Sequence, residues 1–257
     1  MLYPNTKMLY KYTTAKRIME ILQTGNIYYP TLKKLNDPFD SKILINQNDV
    51  SYYKKTKIKK LIKKNLEANF VDADLIEFFL NDQEKAFELS KAIIDSFNEA
   101  ISVIAGLSEK FGILSFSGDR SNMLLWSHYA DSHKGGIICF ERSDNNDLGD
   151  QRFCFPVNYS SYVPEINDVD IGVADLWKKR FGNKDDIWAY EKEWRLISKK
   201  GDELGNLPGK IRAVVCGMKM SSDALDQVNN LAREQGIDLL VSREKENSYK
   251  CEINESD

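Results

Sequence analysis

The hydrophobic and polar positions divide the chain into three stretches of different texture. Residues 8–12 (MLYKY) read as a short strand, and Thr13 or Thr14 stands where it could cap a helix over residues 15–24. Gly25 is placed to end that helix, and residues 26–29 read as a second short strand. The Asn-Asp-Pro of LNDPFD, residues 35–40, predicts a turn, because Asp37 ahead of Pro38 is steered out of helical conformation. Asp37 or Asp40 is also a candidate functional carboxylate on that turn.

Residues 51–107 hold no proline and no glycine before Gly106. Ile58, Leu61, Ile62 and Leu66 form one stripe at helical spacing, and Phe87, Ile94, Phe97 and Ile101 belong to another. Two or three helices are expected there, packed as an insertion or side lobe of a single α+β domain spanning 1–257.

From Phe111 onward short strands dominate. GILSF (112–116) and GIICF (136–140) are continuous apolar runs of strand length, and Asn122–Asp131 between them predicts a helix capped by Ser121. Further strands are expected at 153–159, 193–198, 212–216, 237–241 and 249–253. Helices are expected near 174–180 and over 222–235, the latter capped by Ser221 or Ser222 and stopped by Gly236. Short strands with few helices and no βαβ rhythm give an α+β class with a largely antiparallel sheet core, or two small sheets around a cleft.

Composition adds little to this picture and removes several functions. The chain has 257 residues, 42% hydrophobic and 29% charged, with a net charge of −3, which argues against wholesale coating of nucleic acid. The local exception is Lys54–Lys64, seven lysines without an acid, which reads as a solvated helix face with nucleic-acid or protein contact as the alternative. The four cysteines form no CxxC pair, and Cys139 and Cys216 lie in apolar runs, so buried thiols are expected and zinc is not. No apolar window reaches the roughly 18 residues that a membrane span requires, and the N-terminus carries no signal pattern, so a cytoplasmic protein is expected. GxGxxG, GxxxxGK[ST] and GxSxG motifs are absent.

Two segments carry candidate chemistry. WAYEKEWRLI, residues 188–197, would, if extended, put Glu191, Glu193 and Arg195 on one face and Trp188, Tyr190, Trp194 and Leu196 on the other. Paired carboxylates can stabilise an oxocarbenium-like centre and orient a sugar hydroxyl; the plainer reading is a salt-bridge ladder on an exposed strand. In SFSGDRSNMLLWSHYADSHKG, residues 115–135, Ser115 and Ser117 alternate around Phe116 at a strand end, leading into a helix that carries Trp126, His128 and Tyr129. His128, offset from the apolar stripe, could be a surface residue, a hydrogen-bonded partner or an acid/base group. No metal-ligand spacing is present.

LYKYT, LNDPFD, GILSFS, LLWSHYADSHKGGIICF, WAYEKEWRL and IRAVVCGMKMS together resemble a bacterial family known as domain of unknown function 2971, over nearly the whole chain. A more distant resemblance is to the ADP-ribosyltransferase fold, whose order is polar-Tyr-Thr, then Ser-x-Ser, then Glu-x-Glu. By that resemblance Lys11 and Tyr12 belong to the first element, Ser115 and Ser117 to the second, and Glu191 and Glu193 to the third. It implies that Glu193 stabilises a ribosyl cation, Glu191 activates the acceptor, and Lys11 and the serines grip ribose or phosphate; Tyr129, outside the three elements, is an extra candidate for stacking on nicotinamide. Lysine in the first element and Phe116 within the second depart from that pattern. The implied activity is transfer from NAD or a related nucleotide, with NAD as substrate and no permanently bound cofactor. The alternative is a non-catalytic ligand- or partner-binding module in which Glu191, Glu193 and Arg195 are structural.

Overall fold

The computed structural model describes residues 6–45, 81–166 and 178–255. The chain divides into two compact units, one formed by Met1–Ser41, Lys110–Tyr162 and Phe181–Asp257, the other by Lys42–Glu109 and Val163–Arg180.

The first unit begins with strand β1 (Met8–Thr13), helix α1 (Ala15–Thr24) and strand β2 (Asn26–Tyr29). Thr14 caps α1 by accepting from the Arg17 N–H, and Gly25, at φ +64°, closes the helix in the left-handed region where a side chain would be strained. A short 3₁₀ turn (Leu32–Lys34) comes after β2. In the second unit, β3 (Leu44–Ile45) pairs in parallel with β8 (Glu165–Ile166), and α2 runs over Gln83–Ser108. Among the described side chains of α2, Ala86, Ser90 and Ile94, each four apart, are buried, while Phe87 is 54% exposed. Of the stripe read from the sequence, Ile94 is buried and Phe87 is not, and the side chains of Phe97 and Ile101 lie outside those described. The lysine-rich segment and most of the expected 51–107 insertion lie outside the described residues, as does most of the helix expected near 174–180.

The rest of the first unit supplies β4 (Gly112–Ser117), α3 (Met123–Tyr129), β5 (Gly136–Glu141), β6 (Cys154–Pro156), β7 (Asn158–Tyr159), β9 (Asn183–Lys184), β10 (Glu193–Ser198), β11 (Glu203–Asn206), β12 (Ile211–Cys216), α4 (Ser222–Glu234), β13 (Asp238–Glu244) and β14 (Cys251–Glu255). Eight strands form one sheet in the order β14-β13-β12-β5-β1-β4-β10-β6. Every neighbouring pair is antiparallel except β12 and β13, which are parallel and joined through α4. The fold is α+β with an antiparallel-dominated sheet. Among the described residues it is one large sheet with small two-stranded additions.

Alternation explains the apolar runs. On one face Leu9, Phe116, Ile138, Phe140, Val214 and Cys216 pack with Ile18, Ile21 and Leu22 of α1 and Val228 and Ala232 of α4. On the other, Tyr12, Ile137, Cys139, Ala213 and Val215 pack with Leu125 and Trp126 of α3. GIICF is continuous because both its faces are covered. All four cysteines are buried free thiols.

Three local expectations are corrected. The N-cap of α3 is Asn122, whose side chain accepts from the Leu124 and Leu125 N–H groups, while the N–H of Ser121 is held by Asp119. Residues 188–197 are not one strand: Asp186–Glu191 is a 3₁₀ helix capped by Asp185, Lys192 takes a left-handed φ of 46°, and the strand runs over Glu193–Ser198, the bounds expected for it. The last strand starts at Cys251, two residues later than expected.

Among the described residues no helix is long and apolar enough to cross a membrane.

Candidate functional site

The sheet is split at its centre. β1 pairs with β5 along its whole length, from Met8 opposite Glu141 to Thr13 opposite Gly136. On its other side it meets β4 at one position, Tyr10 opposite Ser117, and there the two strands part. The beginning of β4 takes a different neighbour: Thr31 bridges Gly112, and the Ile113 N–H donates to the Pro30 carbonyl at 2.7 Å. A cavity of about 270 Å³ occupies the opening. Tyr10, Lys11 and Tyr12 all line it, as do Ser115, Phe116 and Ser117. Three consecutive residues could not share a space beside a closed ladder, since their side chains alternate; they do so here because the strand edges are open.

Lys11 bridges the gap. Its Nζ donates to the Ser115 carbonyl at 2.9 Å, a bond that an adjoining strand would otherwise supply. Burial pulls its pKa from 10.5 down to about 8, against a partial restoring pull from Glu193.

Across β4, Glu193 stands opposite Ser117 and Arg195 opposite Ser115. Glu193 is 5% exposed and Arg195 fully buried. Arg195 grips Glu193 side-on, Nε to Oε1 at 2.8 Å and Nη2 to Oε2 at 3.0 Å, and grips Asp40 end-on at 2.8 and 2.6 Å. Its Nη1 also reaches the Ser41 hydroxyl and the Phe181 carbonyl, both at 2.8 Å, so every guanidinium N–H has an acceptor. The expected exposed ladder is thus a buried network, and Arg195 does not line the cavity.

Lys184, on β9, ties the two glutamates together. Its Nζ lies 2.6 Å from Glu191 Oε2, 3.1 Å from Glu193 Oε2 and 3.8 Å from Asp40 Oδ2, and it sits over the Trp188 ring. Burial opposes its charge, but Glu193 and Glu191 outweigh that and raise its pKa. Glu193 shows the same contest: burial favours the neutral acid, yet Arg195 and Lys184 hold its pKa at about 2. Glu191 comes out the other way, its pKa raised by burial and by repulsion from Glu193 in spite of Lys184. Two adjacent carboxyls are thereby set apart, one a fixed anion and one nearer to holding a proton.

Glu191 reaches the cavity from the end of the 3₁₀ helix, and β4 and α3 hold it there. The Ser117 hydroxyl donates to the Glu191 carbonyl at 2.6 Å and accepts from the Asp119 N–H at 3.0 Å. The Gly118 N–H bonds Lys192 O, Asn122 Nδ2 bonds Tyr190 O, and Lys192 Nζ pairs with Asp119 at 2.9 Å. Tyr129, on α3, donates to Glu191 Oε1 at 2.7 Å and accepts from Asn36 Nδ2 at 3.1 Å.

The structure therefore gathers Lys11, Tyr12, Ser115, Ser117, Tyr129, Glu191 and Glu193 around one cavity. Their availability differs. The Ser117 hydroxyl is occupied by backbone, and the Tyr12 hydroxyl donates to the Asp119 carbonyl at 2.7 Å. His128 is exposed beside the Tyr129 ring and does not line the cavity. Asp37 accepts from the Phe39 N–H at 2.8 Å in the turn that its sequence predicts. Asp40 is the carboxylate of that turn that reaches the network. Lys184 carried no readable signal, because NKDD is a polar run like any loop and Lys184 is defined by partners that only the fold brings near. Among the described residues no group of three or more His, Cys, Asp or Glu could hold a metal ion.

No curated protein matches the chain, and no solved structure does. Residues 125–196, which carry Tyr129, Lys184, Glu191, Glu193 and Arg195, match the family model described as protein of unknown function (DUF2971).

Proposed function

We propose that the first unit is a nucleotide-handling enzyme of ADP-ribosyltransferase type, taking NAD or a related nucleotide by its base-and-ribose end. The observation that carries this reading is the convergence of Lys11, Ser115 and the Glu191/Glu193 pair, from three neighbouring strands and the turn before β10, on the cavity where the sheet splits. At about 270 Å³ the cavity lies just under the range of roughly 300–1,000 Å³ usual for ligand pockets, which suits one end of a dinucleotide rather than all of it.

Glu193, ionised at any physiological pH, supplies a preorganised anion beside a glycosidic carbon as positive charge develops there. Glu191, with its raised pKa, takes the proton of the attacking acceptor. Lys11 and the Ser115 hydroxyl hold ribose or phosphate oxygens, and the Tyr129 ring offers a stacking surface. A second reading, a non-catalytic binding module, is favoured by one fact: Glu193 spends both oxygens on Arg195 and Lys184.

The test is nicotinamide release from NAD. The wild type should turn over, and Glu193→Gln should lose about 10²–10³-fold in rate, the usual cost of removing one preorganised charge-stabilising group. Circular dichroism establishes that the variant is folded, and Glu191→Gln serves as a second variant at a less encumbered carboxyl. A folded wild type that binds NAD in a thermal-shift titration without releasing nicotinamide selects the binding module.

A further inference from the structure

Three lysines line the cavity, and two are committed. Lys184 is locked among carboxylates, and Lys34 is bound to the Tyr28 hydroxyl at 2.6 Å and to Asp202 at 3.3 Å. Lys11 is different. Among the described residues its one hydrogen-bond partner is the Ser115 carbonyl, which leaves two of its three ammonium hydrogens, or the lone pair of the free amine, for a ligand of the cavity that Lys11 lines. The walls also carry Glu191, Asn36, Ser115 and the Tyr129 hydroxyl, groups that bond hydroxyls, while Glu193 and Asp40 are held by Arg195. A half-buried amine with no ion pair among the described residues, beside a carboxyl and several hydroxyl-bonding groups, suits a carbonyl-bearing sugar.

We propose that Lys11 is an imine-forming amine whose substrate class is the open-chain aldose, a polyhydroxylated aldehyde. Nζ adds to the aldehyde carbon as the C=O π pair moves to oxygen, and the proton lost from nitrogen passes to that oxygen. The carbinolamine hydroxyl then leaves as water, taking a proton from the cavity carboxyl Glu191, while the nitrogen lone pair forms the C=N bond. Loss of the remaining N–H proton returns that proton to Glu191. The sum is amine plus aldehyde giving imine plus water, and it needs no oxidant or reductant. The lowered pKa supports the step. At neutral pH the free-amine fraction of a group with a pKa of about 8 exceeds that of an ordinary lysine at 10.5 by roughly three hundredfold. The inference does not depend on ribosyl transfer, since it concerns a carbonyl and not a glycosidic bond.

The full-length chain is incubated at pH 7.5 with D-glyceraldehyde and cyanoborohydride, which reduces an imine to a stable secondary amine, and adducts are mapped by peptide mass spectrometry. The expected result is labelling concentrated at Lys11, at least tenfold above any exposed lysine, saturating with aldehyde concentration and absent from the mapped position in folded Lys11→Arg. Labelling spread over exposed lysines with Lys11 no higher than the rest, or a Lys11 rate that rises linearly with aldehyde without saturation, overturns the proposal. Nicotinamide release without a Lys11 adduct sinks this inference and leaves the transferase reading standing; a Lys11 adduct without NAD turnover does the reverse.

Discussion

The two edges of β1 present the same backbone to very different neighbours. Toward β5 the ladder is closed along its full length, and the side chains around it, Leu9, Ile137, Ile138, Cys139 and Phe140, are buried hydrophobes. Toward β4 the ladder closes only at Tyr10 and Ser117, and past that pair the strands border a cavity edged by lysine, serine and glutamate. The cause lies in the neighbours. GIICF has apolar residues for both faces, so closing the ladder buries oil against oil. GILSFS alternates, with Leu114 and Phe116 in the core and Ser115 and Ser117 on the face that β10 shares through Glu193 and Arg195. The comparison teaches that a sheet can open without orphaning its backbone when side chains and a passing loop take the vacated bonds, as Lys11 does for Ser115 and Pro30 for Ile113.

The sharpest way to break this contrast is Arg195→Met. It leaves Glu193 and Asp40 buried with Lys184 alone to answer both, and the expected loss is about 3–5 kcal/mol in urea unfolding. On the closed edge, Ile138→Ala should cost a comparable amount, about 2–5 kcal/mol, by leaving a cavity in the core. pH separates the two. Glu193 has a folded pKa of about 2 against 4.5 unfolded, so its stabilisation is complete above about 4.5 and is lost as pH falls toward 2. The Arg195→Met deficit should therefore shrink over that window while the Ile138→Ala deficit stays level. Equal pH dependence of the two would mean that the buried charges are not what holds the open edge.

A smaller effect is expected at Tyr129→Phe. The hydroxyl links α3 to Glu191 at 2.7 Å, and removing it leaves a buried carboxylate oxygen short of a donor, at about 1–2 kcal/mol. Because the phenol helps hold Glu191 ionised, its loss should raise the carboxyl's pKa further. A carboxylate titration followed by NMR would show this, and an unmoved Glu191 would mean that Tyr129 contributes packing alone.

The closed edge was the more legible of the two in the sequence. Thr14 and Gly25 mark α1, Ser221 and Gly236 bracket α4, and GIICF is a strand within one residue of the length it suggests, because each of these signals is local. The open edge was legible only in part. Glu191 and Glu193 do meet, but through a 3₁₀ turn and Lys184 rather than by strand alternation, since Lys192 takes a left-handed φ that a periodicity argument cannot see. Asp40 could be singled out with Asp37, but only the fold brings it to Arg195, 155 residues along the chain. The split itself has no local sequence signature, because it depends on which strands the fold sets on either side of β4.

The least disruptive test of the comparison is Lys11→Met, read as a slope and not as an offset. Lys11 has a folded pKa of about 8 and an ordinary value of 10.5, so between them the unfolded chain binds more protons than the folded one. Stability contributed by this group therefore rises with pH across that window and is level below it. The offset between wild type and variant mixes the lost bond to Ser115 with the relief of a charge in the cavity, and its sign carries no information. The slope isolates the amine. Relative to Lys11→Met, the wild type should gain on the order of 1–2 kcal/mol from pH 8 to pH 10.5, the solvent-open side of the cavity keeping it below the full linkage value. Parallel curves in thermal unfolding at stepped pH would mean that Lys11 is solvated like a surface lysine, and that the open edge of β1 is filled by water and not by a held amine.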